Sequence, residues 1–249
     1  MSKTDVRLDL IDDRANITIF TEQGVNVFTK DILHKLGGLI RKVAQGPAVR
    51  TTVVQAEGKV FVAGADIREM LGFTPDDAHA YGRLGQDVYN DLAALPSITI
   101  AAINGAAMGG GLELALACDF RIAVKSAKLG MPETSLGLIP GWGGMTRLAK
   151  LVGMPRAKRM CLTALPVSGE DALSFGLVDE TVNSPEDLSA RAAALCKSFR
   201  RAAPSAVALA KRALRDGNDL AAFADCFGNR ESREGMKAFL EKRTASWME

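Results

Sequence analysis

Val6, Leu8 and Leu10 alternate with polar residues, and Ile17 and Ile19 repeat the pattern, which predicts two half-buried β-strands. Ile32, Leu33, Leu36, Leu39, Ile40 and Val43 then follow the spacing of one helix face, closed by Gly46-Pro47. Residues 49–56 read as a strand. Tyr81, Leu84, Val88, Leu92 and Leu95 form a second helical stripe, stopped by Pro96. Residues 98–103 predict a short apolar strand, Asn104-Gly105 a turn, the residues after Ala107 a helix, and residues 120–124 a further strand. Strand and helix alternate throughout, which argues for an α/β fold. The pattern changes near Ser184-Pro185. From Glu186 onward it is helical and charged, with Leu188, Ala192, Leu195 and Phe199 on one stripe. Pro204 and Gly217 interrupt it, and Met236, Phe239 and Leu240 make a last stripe. The chain shows no convincing internal repeat and no low-complexity tract.

The chain has 249 residues, 47% of them hydrophobic, enough for a large core without disulfide or metal staples. Its 31 basic and 29 acidic residues leave a formal charge of +2, which gives no electrostatic case for nucleic acid. Basic pairs at Arg200-Arg201 and Lys211-Arg212 read as solvated helix faces. The four cysteines, Cys118, Cys161, Cys196 and Cys226, are widely spaced and lack metal-ligand spacing. Met1-Ser2-Lys3-Thr4-Asp5 leads into polar alternation rather than an apolar signal core, and no apolar run approaches membrane-spanning length. A reducing cytosol is the expected compartment, with no membrane partner.

Histidine chemistry is set aside because His34 and His79 sit near no nucleophile motif. No Walker loop follows the glycines, and Gly109-Gly110-Gly111 lacks dinucleotide-loop spacing. Three segments of glycines and carboxylates remain. The first is Val60-Phe61-Val62-Ala63-Gly64-Ala65-Asp66-Ile67, a strand-like run entering a small-residue turn. The second is Ala107-Met108-Gly109-Gly110-Gly111-Leu112-Glu113. The third is Leu129-Gly130-Met131-Pro132-Glu133-Thr134, followed by Gly137-Leu138-Ile139-Pro140-Gly141-Trp142-Gly143-Gly144. Glycines let a backbone approach a ligand closely, and the first amides of a helix are unpaired. Taken singly, Asp66 reads as a helix cap, and Glu133 as a residue that favours a helix start. Glu113 lies among Leu112, Leu114, Ala115, Leu116 and Ala117, so it reads as buried, and a buried carboxylate needs a partner or a function.

These segments, in this order, resemble the crotonase (enoyl-CoA hydratase/isomerase) superfamily. The resemblance also takes in Cys118-Asp119, residues 172–178 and the tail from Glu234 to Arg243, and so covers nearly the whole chain. It implies a ββα superhelix over residues 1–185 that carries the site, with a helical region over 186–249 serving oligomerisation. It implies an acyl-CoA thioester substrate whose enolate oxygen is held by the backbone amides of Ala65 and Gly110. Glu113 and Glu133 are then the catalytic pair: Glu113 activates water for attack at C3, and Glu133 delivers a proton to C2. Ala63, Ala65, Asp66, Ile67, Arg68 and Gly110 are expected along the thioester and pantetheine, and Trp142 in the acyl pocket, where it would shape chain-length preference; packing in the core is the alternative for Trp142. Lys242 or Arg243 either holds CoA phosphates or belongs to a solvated face. No metal and no separate cofactor is implied, since coenzyme A is part of the substrate. Members with both glutamates hydrate 2-enoyl-CoA or run the reverse dehydration. A double-bond isomerase, a specialised dehydratase, or a non-catalytic acyl-CoA or RNA-binding scaffold are the alternatives, and the two glutamates and the near-neutral charge weigh against the scaffold. A trimer or hexamer is the assembly implied. The chain departs from many relatives at Thr21-Glu22-Gln23-Gly24-Val25-Asn26, which lacks their proline and arginine, and slightly at Met145-Thr146-Arg147-Leu148.

Overall fold

A computed structural model describes residues 4–22, 24–46 and 48–248. Residues 1–3 of the N-terminal lead, Gln23 of the 21–26 loop and Pro47 of the first helix stop lie outside the described residues, as does Glu249. Strands β1 (Asp5–Ile11) and β2 (Arg14–Phe20) form an antiparallel hairpin, followed by helix α1 (Lys30–Gln45). The pattern then repeats three times as strand, short strand, helix. The first turn is β3 (Thr51–Ala56), β4 (Val60–Val62), then α2 (Ile67–Met70) and α3 (Pro75–Ala94). The second is β5 (Ile98–Ile103), β6 (Ala106–Met108) and α4 (Gly110–Leu116). The third is β7 (Phe120–Val124), β8 (Lys128–Gly130), a 3-10 turn at Glu133–Leu136, then α5 (Gly144–Val152) and α6 (Met154–Thr163). Strand β9 (Val167–Ser168), α7 (Gly169–Ser174), β10 (Glu180–Val182) and α8 (Pro185–Ser198) close the spiral, and α9 (Pro204–Asp216), α10 (Asp219–Cys226) and α11 (Arg230–Leu240) follow.

The first strand of each turn enters a six-stranded sheet of order β1-β2-β3-β5-β7-β10, parallel except for the β1–β2 pair. The second strand enters a smaller sheet of order β4-β6-β8-β9, in which β4, β6 and β8 run parallel. The chain is thus an α/β superhelix of ββα turns. The repeat is one of structure only: the three turns share strand order and pairing, which many apolar sequences satisfy, so no sequence repeat marks them.

Burial follows strand position. Strand β2 lies between β1 and β3 and buries both faces: Ala15, Ile17 and Ile19 on one, and Asn16 and Thr18, only 7% and 1% exposed, on the other. It is therefore more enclosed than its alternation suggests. Strand β1 is an edge, and Leu10 on it stays 50% exposed. The main core gathers Ile17, Ile19, Leu33, Leu36, Tyr89, Leu92, Ile103, Leu112, Leu129 and Trp142. A second cluster joins Val53, Ile98, Ile100 and Ile122 to Leu188 and Ala192 of α8. The change of pattern at Ser184-Pro185 is a capped helix start, with a reciprocal Ser184–Asp187 capping box, and the helix it opens packs on the large sheet. The last expected stripe lies on α11 and is open: Met236, Phe239 and Leu240 are 49%, 83% and 80% exposed.

Candidate active site

Strands β4, β6 and β8 pair side by side and in parallel, so the segments that leave their C-terminal ends emerge at one edge. Ala65 follows β4 by three residues, Gly110 follows β6 by two and Glu133 follows β8 by three. The C-terminal edge of parallel strands is where open α/β sheets bind ligands. Three segments far apart in sequence meet there because each occupies the same place in its own ββα turn.

The Ala65 segment is pinned by Phe28. Phe28 N–H donates to Gly64 O, and Phe28 O accepts from Asp66 N–H, both at 2.8 Å. In a parallel bridge of this kind the residue between the two bonds points its own amide the other way, so the Ala65 N–H faces the site. Gly110 is the first residue of α4, where an amide has no intrahelical acceptor. The two segments are close: a β-carbon on Gly64 would lie 3.9 Å from Gly110 N and 3.2 Å from Met108 O, and Gly64 holds φ at +116°, a conformation that glycine tolerates.

Glu113 is 2% exposed, one helical turn into α4. Its Oε1 accepts backbone N–H bonds from Trp142 and Gly144, both at 2.8 Å. Among the described residues nothing donates to Oε2, which keeps its lone pairs for a ligand. Burial pushes the Glu113 carboxyl up to about 7; Glu133 adds to the rise, and the two N–H donors and Arg147 oppose it. Glu133 opens the 3-10 turn, half-buried, and burial raises its carboxyl above the ordinary range too. Its Oε2 is buried without a partner among the described residues. A β-carbon on Gly109 would sit 2.7 Å from Glu133 Oε1, so Glu133 lies directly over the glycine turn before α4. Two carboxyls whose proton affinity burial raises, one held by donors and one left open, suit paired proton transfer.

Asp66 accepts from Arg68 N–H as the cap of α2, and its carboxylate pairs with the Arg68 guanidinium at 2.5 Å, which holds it below the usual carboxylate range. Ile67 and Arg68 are exposed, and Ala63 N–H is tied to Asn26 O at 2.8 Å. Trp142 stands differently from a pocket wall. Its indole is 4% exposed and packed among Phe28, Tyr81 and Tyr89 in the main core. Arg243 is taken up by a two-pronged pair with Glu234, at 2.7 and 2.9 Å. His34 and His79 are exposed.

Several supporting residues escaped the sequence reading. Tyr89 Oη donates to Gly110 O at 2.7 Å. Arg147 donates to Trp142 O at 3.0 Å and to Asn90 at 2.6 Å, bracing the loop that holds Glu113. Asn26, 1% exposed, donates to the carbonyls of Glu57, Val60 and Phe61 and so fixes the approach to β4. The only signal for Tyr89 was its place one residue after Val88 on the helical stripe. Asn26 carries no local signal, because its partners lie 31 or more residues away, and Arg147 reaches Asn90 57 residues away as well as the nearby Trp142 carbonyl.

The sequence model of the enoyl-CoA hydratase/isomerase family matches residues 14–249. The chain is 37% identical, over 259 aligned positions, to a crotonyl-CoA hydratase of Syntrophomonas wolfei, covering 100% of this chain and 99% of that protein. It is 37% identical to a short-chain-enoyl-CoA hydratase of Clostridium acetobutylicum, covering 92% of each. Among solved structures, the enoyl-CoA hydratase from Bacillus anthracis superposes with a TM-score of 0.88 at 33% identity, covering 97% of this chain and 98% of that one. Sequence, superhelix and the convergence of three strand ends on two glutamates agree: the chain belongs to the enoyl-CoA hydratase/isomerase family.

Proposed function

We propose that the chain is a hydro-lyase that adds water across the 2,3 double bond of a 2-enoyl-CoA thioester, or removes it in reverse. The observation that carries this reading is the pair Glu113 and Glu133 beside the outward-facing amides of Ala65 and Gly110. The thioester oxygen accepts from both amides, which hold the negative charge that develops as the enolate forms; one such donor is typically worth about 3–4 kcal/mol in the transition state. Glu113 takes a proton from water as the water oxygen bonds to C3. The double-bond electrons move toward the thioester, and Glu133 then gives its proton to C2 as the carbonyl re-forms. Both new bonds form on the side facing the glutamates, so addition is syn. The pair has then exchanged roles, and one proton passed between the carboxyls resets it. The division of labour follows the hydrogen bonds: two N–H donors on Glu113 favour its ionised form, whereas Glu133 Oε2 has no donor to hold a charge. Ala63, Asp66, Ile67 and Arg68 line the approach for the pantetheine arm.

Names of relatives suggest crotonyl-CoA as the first substrate to assay. Loss of enoyl-thioester absorbance with 3-hydroxyacyl-CoA as the product is the expected result. A faster double-bond shift on a 3-enoyl-CoA than hydration of the 2-enoyl isomer would assign isomerase chemistry instead, and no turnover on a panel of enoyl-CoAs would overturn the reading. The open apolar side chains of Leu214, Leu220, Phe223, Phe239 and Leu240, all at least 64% exposed, support a homo-oligomer, a trimer or hexamer, in which α9–α11 bury these faces against other copies. Light scattering tests it: a single-chain mass would refute it. No described helix is long and apolar enough to cross a membrane, and the four cysteines are free, which fits a reducing cytosol.

A further inference from the structure

Trp142 meets Gly110 and Glu113 directly and reaches the Ala65 segment through Phe28. Its ring centroid lies 6.5 Å from Phe28 in a stacked pair, and 5.4 and 5.7 Å from Tyr81 and Tyr89 in edge-to-face pairs, an arrangement that fixes the indole in position. The benzene half of the indole rests on Gly110 and the pyrrole half on Gly85 of α3; a β-carbon on either glycine would overlap the ring. The indole therefore fills the gap between α3 and the first residue of α4, and both walls are glycine because the ring occupies the space of a side chain.

Each neighbour of this ring holds one functional group. Tyr89 Oη donates to Gly110 O. Phe28 brackets Ala65 through Gly64 O and Asp66 N, and Tyr81 Oη donates to that same Phe28 O at 3.1 Å. The Trp142 backbone N–H donates to Glu113 Oε1, while Arg147 holds the Trp142 carbonyl. We infer that Trp142 is a positioning residue: its indole keeps the Ala65 and Gly110 amides and the Glu113 carboxylate in a single register, so that one buried side chain sets the geometry of the oxyanion site and the general base together. The inference rests on the hydratase reading for the meaning of those groups. It replaces a role in choosing chain length, since no edge of the ring is open to a substrate tail.

A phenyl ring cannot span both glycines. Trp142→Phe is expected to lower kcat roughly 10–100-fold, as misplacement of about 1 Å does, while KM changes less than about threefold because ground-state contacts are kept. Gly85→Ala drives a methyl into the pyrrole edge from the far side and lowers kcat in the same way. It also places alanine inside a helix, where it is favoured, so α3 stays formed. The double variant Gly85→Ala/Trp142→Phe should recover part of the loss, because a phenyl ring leaves space beside Gly110 into which it can shift away from the methyl. A bound conjugated 2,4-dienoyl-CoA gives a second readout: its absorbance shifts to the red as the thioester carbonyl is polarised, and both single variants should show a smaller shift than the parent. A merely structural role would lower the melting temperature and leave kcat and the shift of the folded fraction unchanged. That result, or losses that simply multiply in the double variant, overturns the inference. If the parent shifts the dienoyl spectrum but hydrates nothing, the hydratase reading fails while the shift in the variants still decides the role of Trp142.

Discussion

Replacing Glu113 by Gln should cost activity and add stability, and the gain should depend on pH. Glutamine keeps an oxygen to accept from the Trp142 and Gly144 amides but removes a carboxylate that is 2% exposed. Burial moves that carboxyl from 4.5 to about 7, and each pH unit of displacement corresponds to about 1.4 kcal/mol. The folded state thus holds the Glu113 proton more tightly than the unfolded chain does. The associated stability is fully present below pH 4.5 and is lost as the pH rises through 7, in total about 3 kcal/mol. Glu113→Gln escapes this loss. Its melting temperature relative to the parent should climb between pH 5 and pH 8.5, by roughly 6–12 °C for a chain of this size, while hydration falls roughly 10²–10⁴-fold. Thermal unfolding of the two proteins at five pH values, alongside crotonyl-CoA turnover, makes the comparison. A melting difference that is flat with pH, or that narrows toward alkaline pH, would refute the electrostatic account.

Hydration by the parent should itself fall as the pH drops below about 7, because in the proposed reaction Glu113 must be ionised to accept the proton from water; a pH–rate profile reads this limb. Arg147→Gln removes a charge that holds the Glu113 carboxyl down, so the limb should move to higher pH, with kcat reduced at pH 7. Gly109→Ala should lower kcat with little change in KM, since its backbone has φ +51° and the new β-carbon would lie 2.7 Å from Glu133 Oε1; steady-state kinetics test it. Asn26→Ala leaves three carbonyls without their donor and should cost roughly 2–4 kcal/mol in urea unfolding.

Much of the site was legible because its chemistry is local. The glycine run before Glu113, the small-residue turn at Ala63-Gly64-Ala65 and Pro132-Glu133 each announce a backbone that must turn tightly beside a polar group. The alternation of apolar stripes likewise marks α1, α3 and β5, because an amphipathic element buries the same face in any fold that contains it. Trp142 was not legible. Its sequence neighbours are glycines, and nothing local tells whether an indole in a glycine loop turns toward a substrate or under the backbone. The Phe239–Leu240 stripe is legible as one helix face, but spacing alone does not say what covers it, and both side chains are at least 80% exposed.

The sequence by itself therefore determined the elements, the α/β class, and which groups could carry a proton or an anion, since these depend on side-chain periodicity and on residue types a few positions apart. Only the tertiary structure decided that the segments carrying Ala65, Gly110, Glu113 and Glu133 lie side by side. Parallel pairing of β4, β6 and β8 brings together segments that follow strands separated by about 20–45 residues, and pairing between distant strands is set by the packing of the whole core and not by any local pattern. It also decided that Glu113 would be buried against two backbone donors from the Trp142 loop, and it is that burial, not the residue type, that brings an ordinary glutamate close to neutral pH.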